Sequence, residues 1–93
     1  MAPSLVLPAE LTHDQAGVCL RMLAQALHSQ PDPAVVADAG ALSRFDSSAL
    51  AVLLECRREA LALGKSFSVS RMPKRLRDLA TLYGVAQLLP AAP

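Results

Sequence analysis

Four kinds of residue in this sequence could do chemistry. Asp46-Ser47-Ser48 sets a carboxylate beside two hydroxyls, Cys19 and Cys56 are thiols, and His13 and His28 are imidazoles. A basic run, Arg71, Lys74, Arg75 and Arg77, lies near the end. A serine nucleophile needs a general base and a turn that exposes its oxygen. Ser47 and Ser48 have neither a GxSxG elbow around them nor a histidine close in sequence, so a small hydrolase using Ser47 has no visible base. The two histidines stand fifteen positions apart, with no second ligand beside either, which is not the spacing of a metal site. There is no GxGxxG and no P-loop, so no phosphate cradle is signalled. The basic run has only Tyr83 nearby for stacking on a base, a poor match to a nucleic-acid surface. These residues predict no catalytic group, no metal, no cofactor and no nucleic-acid partner.

What remains is the helix entrance. Asp and Ser are good N-caps, because their oxygens accept from backbone N–H groups that the first turn leaves free. Asp46 and Ser47 are expected to cap a helix that runs to about Leu63, with Gly64 as its stop. A hydroxyl there lies beside oriented N–H donors at the positive end of the helix dipole, where added negative charge is tolerated. Ser47 is therefore a candidate phosphoacceptor or docking contact.

The elements that position it follow from periodicity. Leu5-Val6-Leu7 reads as a brief strand closed by Pro8. Thr12 with Gln15 forms a capping box, and Ala16, Cys19, Leu20, Leu23 and Leu27 recur at helical spacing until Pro31-Asp32-Pro33. Ala34-Val35-Val36-Ala37 reads as a strand apolar on both faces, followed by a loop from Ala41 to Phe45. The second helix has a core stripe of Ala49, Val52, Leu53, Cys56, Ala60 and Leu63, widened by Leu50, Leu54 and Leu61. Ser48, Ala51, Glu55 and Arg58 fall on its opposite face. Ser66-Phe67-Ser68-Val69-Ser70 alternates as a half-buried strand does. Pro73 then opens a third helix with the stripe Leu76, Leu79, Ala80 and Tyr83, ended by Gly84, and Val85, Leu88 and Leu89 pack back. Strand-helix alternation of this kind predicts α/β layers with mostly parallel strands.

The 93 residues suit one domain spanning 1–93. They are 53% hydrophobic but only 3% aromatic, so the core must be aliphatic. The opening Met1-Ala2-Pro3-Ser4 has no positive region before its short apolar run, and no apolar run approaches a membrane span; a cytoplasmic location is expected. Both cysteines fall on helix core stripes, as buried thiols in a reducing compartment would. Residues 1–56 carry two cations against six acids, and residues 57–93 carry seven cations against two acids, a polarity that could attract an acidic partner.

The segment Asp46-Ser47-Ser48-Ala49-Leu50 resembles the Asp-Ser-Ser-Gly-Leu motif of the STAS family, which includes bacterial anti-anti-sigma factors. Val35-Val36-Ala37-Asp38 looks like that family's central strand. In the regulated members the residue after the motif Asp is phosphorylated by a partner kinase, and Ser47 matches that position. A closer resemblance is to the MlaB branch, the STAS subunit of the Mla phospholipid ABC transporter that maintains outer-membrane lipid asymmetry. It rests on Leu5-Val6-Leu7-Pro8-Ala9-Glu10-Leu11, Leu50-Ala51-Val52-Leu53-Leu54, Leu79-Ala80-Thr81-Leu82-Tyr83-Gly84-Val85 and Leu88-Leu89-Pro90, and runs from about Leu5 to Pro90.

The resemblance implies a STAS-like α/β fold, a small mixed sheet with helices mainly on one face. It implies a non-enzymatic subunit that binds and stabilises or regulates the transporter's ATPase, reaching the inner membrane only through that complex. In that branch the position matching Ser47 is a hydroxyl residue important at the ATPase contact. The expected docking surface is Arg44, Ser47, Ser48, Ala51, Glu55 and Arg58. The alternative it implies is an anti-sigma-factor antagonist switched by phosphorylation at Ser47. Two departures stand out. Ala49 replaces the glycine usual in the antagonists, which disfavours close backbone approach by a kinase. The chain also starts about where the family's second strand lies, so the first strand is expected to be missing and a sheet edge left open.

Overall fold

The structure, a computed structural model, describes residues 4–92; Met1, Ala2, Pro3 and Pro93 of the expected 1–93 span lie outside the described residues. The elements are β1 (Ser4–Val6), β2 (Glu10–Leu11), α1 (His13–Ser29), β3 (Ala34–Asp38), β4 (Arg44–Phe45), α2 (Ser48–Ala62), β5 (Ser66–Ser70) and α3 (Lys74–Leu82), with a 3₁₀ turn at Ala86–Leu88. β1, β3 and β5 form a parallel sheet in the order β1-β3-β5, with Leu5 opposite Ala37 and Ala37 opposite Val69. Each step along this sheet goes the same way. Right-handed crossovers that keep stepping in one direction land on one face, so the helices share a face.

The strands show the consequence. Leu5 and Leu7, Val35 and Ala37, and Phe67 and Val69 are buried under the helices. Between them Val6 is exposed, and Val36, Ser68 and Ser70 are half-buried on the bare face. Ala34-Val35-Val36-Ala37 is therefore not covered on both sides, as its unbroken apolar run had suggested. A parallel sheet with helices on one face needs only every second residue to be fully apolar.

The helices form where periodicity placed them. Gln15 Oε1 accepts from the Thr12 N–H at 2.9 Å and ties down the start of α1. Cys19, Leu23 and Leu27 of α1 meet Leu50, Leu53 and Cys56 of α2 in one aliphatic cluster, with Leu76 and Ala80 of α3 and Leu89 from the tail. Gly64 and Gly84 end α2 and α3 at φ +75° and +72°, a conformation that a side chain would strain. Three residues depart from their stripes. Leu61, Leu63 and Tyr83 are 47%, 42% and 58% exposed, in the last turn of α2 or just past the ends of α2 and α3.

Two pairings were not visible in the sequence. β2 and β4 form a separate two-stranded parallel sheet, Glu10 opposite Arg44 and Leu11 opposite Phe45, where the sequence predicts loop. The tail returns alongside β5: Val69 N–H donates to the Pro90 carbonyl at 2.8 Å, and Ala92 N–H to Val69 at 2.9 Å. No helix among the described residues is long and apolar enough to cross a membrane.

Candidate docking site

The entrance to α2 is built from three directions. The β2–β4 pair fixes the approach, with the Ser43 and Arg44 N–H groups donating to the Ala9 carbonyl at 2.8 and 3.1 Å. Asp46 follows directly. Its Oδ1 accepts from the Ser48 N–H at 2.8 Å, and its Oδ2 accepts from the His13 N–H at 3.1 Å. One carboxylate thus caps the first turn of α2 and of α1 together. These donors favour the charged form, the Ser48 N–H most of all, and hold the Asp46 pKa below the ordinary carboxylate value.

Ser47 plays a different part from the expected one. Its side chain makes no capping hydrogen bond. With φ −63° and ψ −14° it is already helical, and side-chain capping needs an extended backbone that points the oxygen back at the first amides. Its carbonyl accepts from the Leu50 and Ala51 N–H groups at 3.1 and 3.3 Å, while the residue itself is exposed. The capping falls to Asp46, and the Ser47 hydroxyl is left facing solvent.

The outer face of α2 continues from there. Ala51 and Arg58 are exposed, and Ser48 and Glu55 half-buried. Glu55 and Arg58 form an i,i+3 ion pair at 2.7 Å, with Arg58 Nε also donating to both carboxylate oxygens at 3.1 and 3.2 Å. The Arg58 hydrogen bonds lower the Glu55 pKa, and Glu55 raises that of Arg58. So exposed a pair adds little to stability but fixes both side chains in one orientation. Arg44 is turned the other way, its Nη1 on Glu10 Oε2 at 3.2 Å, so it stands beside the face rather than on it. Sequence reasoning missed two contributors. Exposed Leu61 extends the outer face of α2, ten residues on from Ala51. Arg75 lies 4.5 Å over the Phe45 ring, bringing the basic start of α3 up to the motif. The helical spacing of Leu61 was legible, but its apolar type assigned it to the core; Leu54, assigned likewise, does pack against the core. The Phe45–Arg75 contact is tertiary and left no signal.

The other reactive side chains stay apart. His28 Nε2 pairs with Glu59 Oε2 at 3.1 Å, and His13 reaches Asp46 through its backbone. Among the described residues no hydrogen bond joins an imidazole to Ser47 or Ser48, and no group of three or more His, Cys, Asp or Glu residues could hold a metal. Cys19 and Cys56 are buried free thiols, and burial pushes the Cys56 pKa up to about 12.

A family model described as "Mlab, STAS domain" matches residues 1–90. The chain belongs to the STAS domain family. No curated protein matches it. Among solved structures, the STAS domain is similar to the anti-sigma factor antagonist SpoIIAA in its unphosphorylated form, with a TM-score of 0.75 and 19% identity. The alignment covers 97% of this chain and 78% of that one, and at such identity it speaks for the fold alone. The STAS domain thus has the α/β fold of that antagonist, with its motif serine at the head of α2.

Proposed function

We propose that this STAS domain is a non-enzymatic docking subunit. It binds the cytoplasmic ATPase of an Mla-type phospholipid ABC transporter and stabilises or regulates it. In this reading it sits in the cytoplasm and meets the inner membrane only through the complex. The supporting observation is the match over residues 1–90 to a family described by Mlab, joined to the exposed outer face of α2. Ser47, Ser48 and Ala51 are small enough for a partner helix to approach closely. Glu55 and Arg58 are held by each other and would set its orientation more than its affinity. Arg44 contributes at the edge. The test is co-purification with the ATPase encoded by the same organism's Mla-type operon. A stable complex with wild type that is lost with Ser47→Glu is the expected result; no complex with wild type sinks the proposal.

One observation favours a second reading, an anti-sigma-factor antagonist switched by phosphorylation at Ser47. The Ser47 hydroxyl is exposed and released from capping, as a kinase substrate needs to be. Phosphorylation of wild type but not Ser47→Ala by a kinase from the same genome, with loss of anti-sigma-factor binding, would favour that reading.

A further inference from the structure

A second surface lies on the far side of α1, and the docking proposal makes no use of it. β1 is an edge strand. Leu7 N–H donates to the Asp38 carbonyl at 3.0 Å, and amides in a parallel ladder alternate in direction. The Val6 N–H and C=O therefore point away from β3, and among the described residues no strand pairs with that edge. Beside the edge lies a groove of about 480 Å³ between β1 and α1. Its apolar lining includes Val6, Val18, Met22 and Leu23. Val6, Val18 and Met22 are 64%, 54% and 65% exposed, among the most exposed large apolar side chains in the molecule. Glu10 and Asp14 line the same groove and are exposed. Glu10 is engaged by Arg44, whereas Asp14 has no ion-pair partner among the described residues.

We propose that this groove takes an extended strand from another protein, one with alternating aliphatic residues and a Lys or Arg set against Asp14 and Glu10. Three features choose this occupant. The free Val6 amide and carbonyl offer two backbone hydrogen bonds that only a strand can use in ladder geometry, and alternate side chains of an added strand would fall into the groove. The acidic lining selects a cation on the incoming segment. A second copy joined edge to edge would lay its own Ser4–Glu10 against the groove, a segment with no Lys or Arg to meet Asp14.

The experiment pans a display library of random twelve-residue peptides against the full chain, and titrates the enriched peptides into wild type, Val18→Glu and Val6→Pro. Val18→Glu changes an exposed helix position, and Val6→Pro removes an N–H that no internal bond uses, so both should melt like wild type. The expected result is enrichment of alternating aliphatic sequences carrying Lys or Arg. Their affinity should fall at least tenfold in both variants, and also when the peptide backbone is N-methylated on its pairing edge. Enrichment of sequences with apolar residues at i, i+3, i+4 and i+7 would make the occupant a helix and overturn the proposal. So would enrichment that is indifferent to Val18→Glu, or no enrichment at all. Sedimentation of wild type as a dimer that Val18→Glu dissociates would assign the groove to a second copy instead. Co-purification with an ATPase is scored on Ser47, so either proposal can fail alone.

Discussion

Asp46 concentrates more structure than any other residue at the site. It collects the Ser48 and His13 N–H groups, one at the start of each neighbouring helix, so Asp46→Ala releases two helix starts at once. Its folded pKa is held below the ordinary value of 3.8. A carboxylate with a depressed folded pKa contributes fully above its unfolded pKa, and that contribution is lost as pH falls through the folded value. Asp46→Ala should therefore melt below wild type at pH 7, and the gap should begin to narrow near the unfolded value of about pH 4 and go on closing as pH falls through the lower folded value. Thermal melts of both proteins from pH 7 to pH 3 check this. A gap that stays constant across that range would mean the carboxylate is not the cap.

A similar interdependence appears one loop away. Asp38 Oδ1 accepts from the Gly40 N–H at 2.9 Å and from Arg71 Nε at 3.1 Å, while Arg71 Nη2 reaches Oδ2 at 2.7 Å. Arg71 adopts a left-handed backbone at φ 53° and lays its guanidinium over Gly40, where an added Cβ would run into Arg71 Cζ. Gly40→Ala must push that guanidinium aside and so disturb the pair without touching either charge. Gly40→Ala and Arg71→Ala should each destabilise the fold, and the double variant should be scarcely worse than either one. Denaturant titrations of the four proteins decide it. Additive losses would show that the alanine is accommodated without moving Arg71.

At the scale of elements, α2 carries the fold. It lies between α1 and α3 in the aliphatic cluster, and its buried set includes Ala49, Leu50, Val52, Leu53, Cys56 and Ala60. Leu53 is fully buried. An unpaired carboxylate at that position costs several kcal/mol, comparable to the ~5–15 kcal/mol that holds a small domain together. Leu53→Asp is expected to abolish the cooperative melt seen by circular dichroism. A soluble variant with a sharp transition would place the buried side of α2 elsewhere. Because the buried side is so fully occupied, only the outer face, from Ser47 to Leu61, is left to meet a partner.

For the whole molecule, folding and docking separate at Ser47. The Ser47 side chain holds no cap and faces solvent, so Ser47→Ala should change stability by about 0.5 kcal/mol or less. Ser47→Glu puts a negative charge at the positive end of α2 and should fold as well as wild type. Its cost should appear in a complex, where a carboxylate pressed into a close interface without a matching cation loses several kcal/mol of hydration. Titration of both variants against the ATPase, with melts alongside, should show binding falling steeply in Ser47→Glu while the melting temperature hardly moves. Wild-type affinity in Ser47→Glu would remove the head of α2 from the docking surface. A melting temperature far below wild type would mean that Ser47 supports the fold instead.

The sequence by itself determined the three helices, the order of the long strands and the Asp46-Ser47-Ser48 entrance. These depend on local periodicity and capping chemistry, which act over a few residues and leave their mark in residue order. Even the glycine stops, Gly64 and Gly84, follow from the local demand for a left-handed residue. Which serine or aspartate caps was already beyond that reach. It turns on the αR backbone of Ser47, and on His13, thirty-three residues away, coming up to Asp46. The short β2–β4 pair and the return of the tail beside Val69 were decided only by tertiary structure, since two-residue strands have no period to read. Tertiary structure also set apart the exposed leucines from the buried ones. Apolar type alone cannot separate a core position from an exposed one: Leu53 and Ala60 are fully buried while Leu61 is 47% exposed, so the side of α2 each residue faces decides.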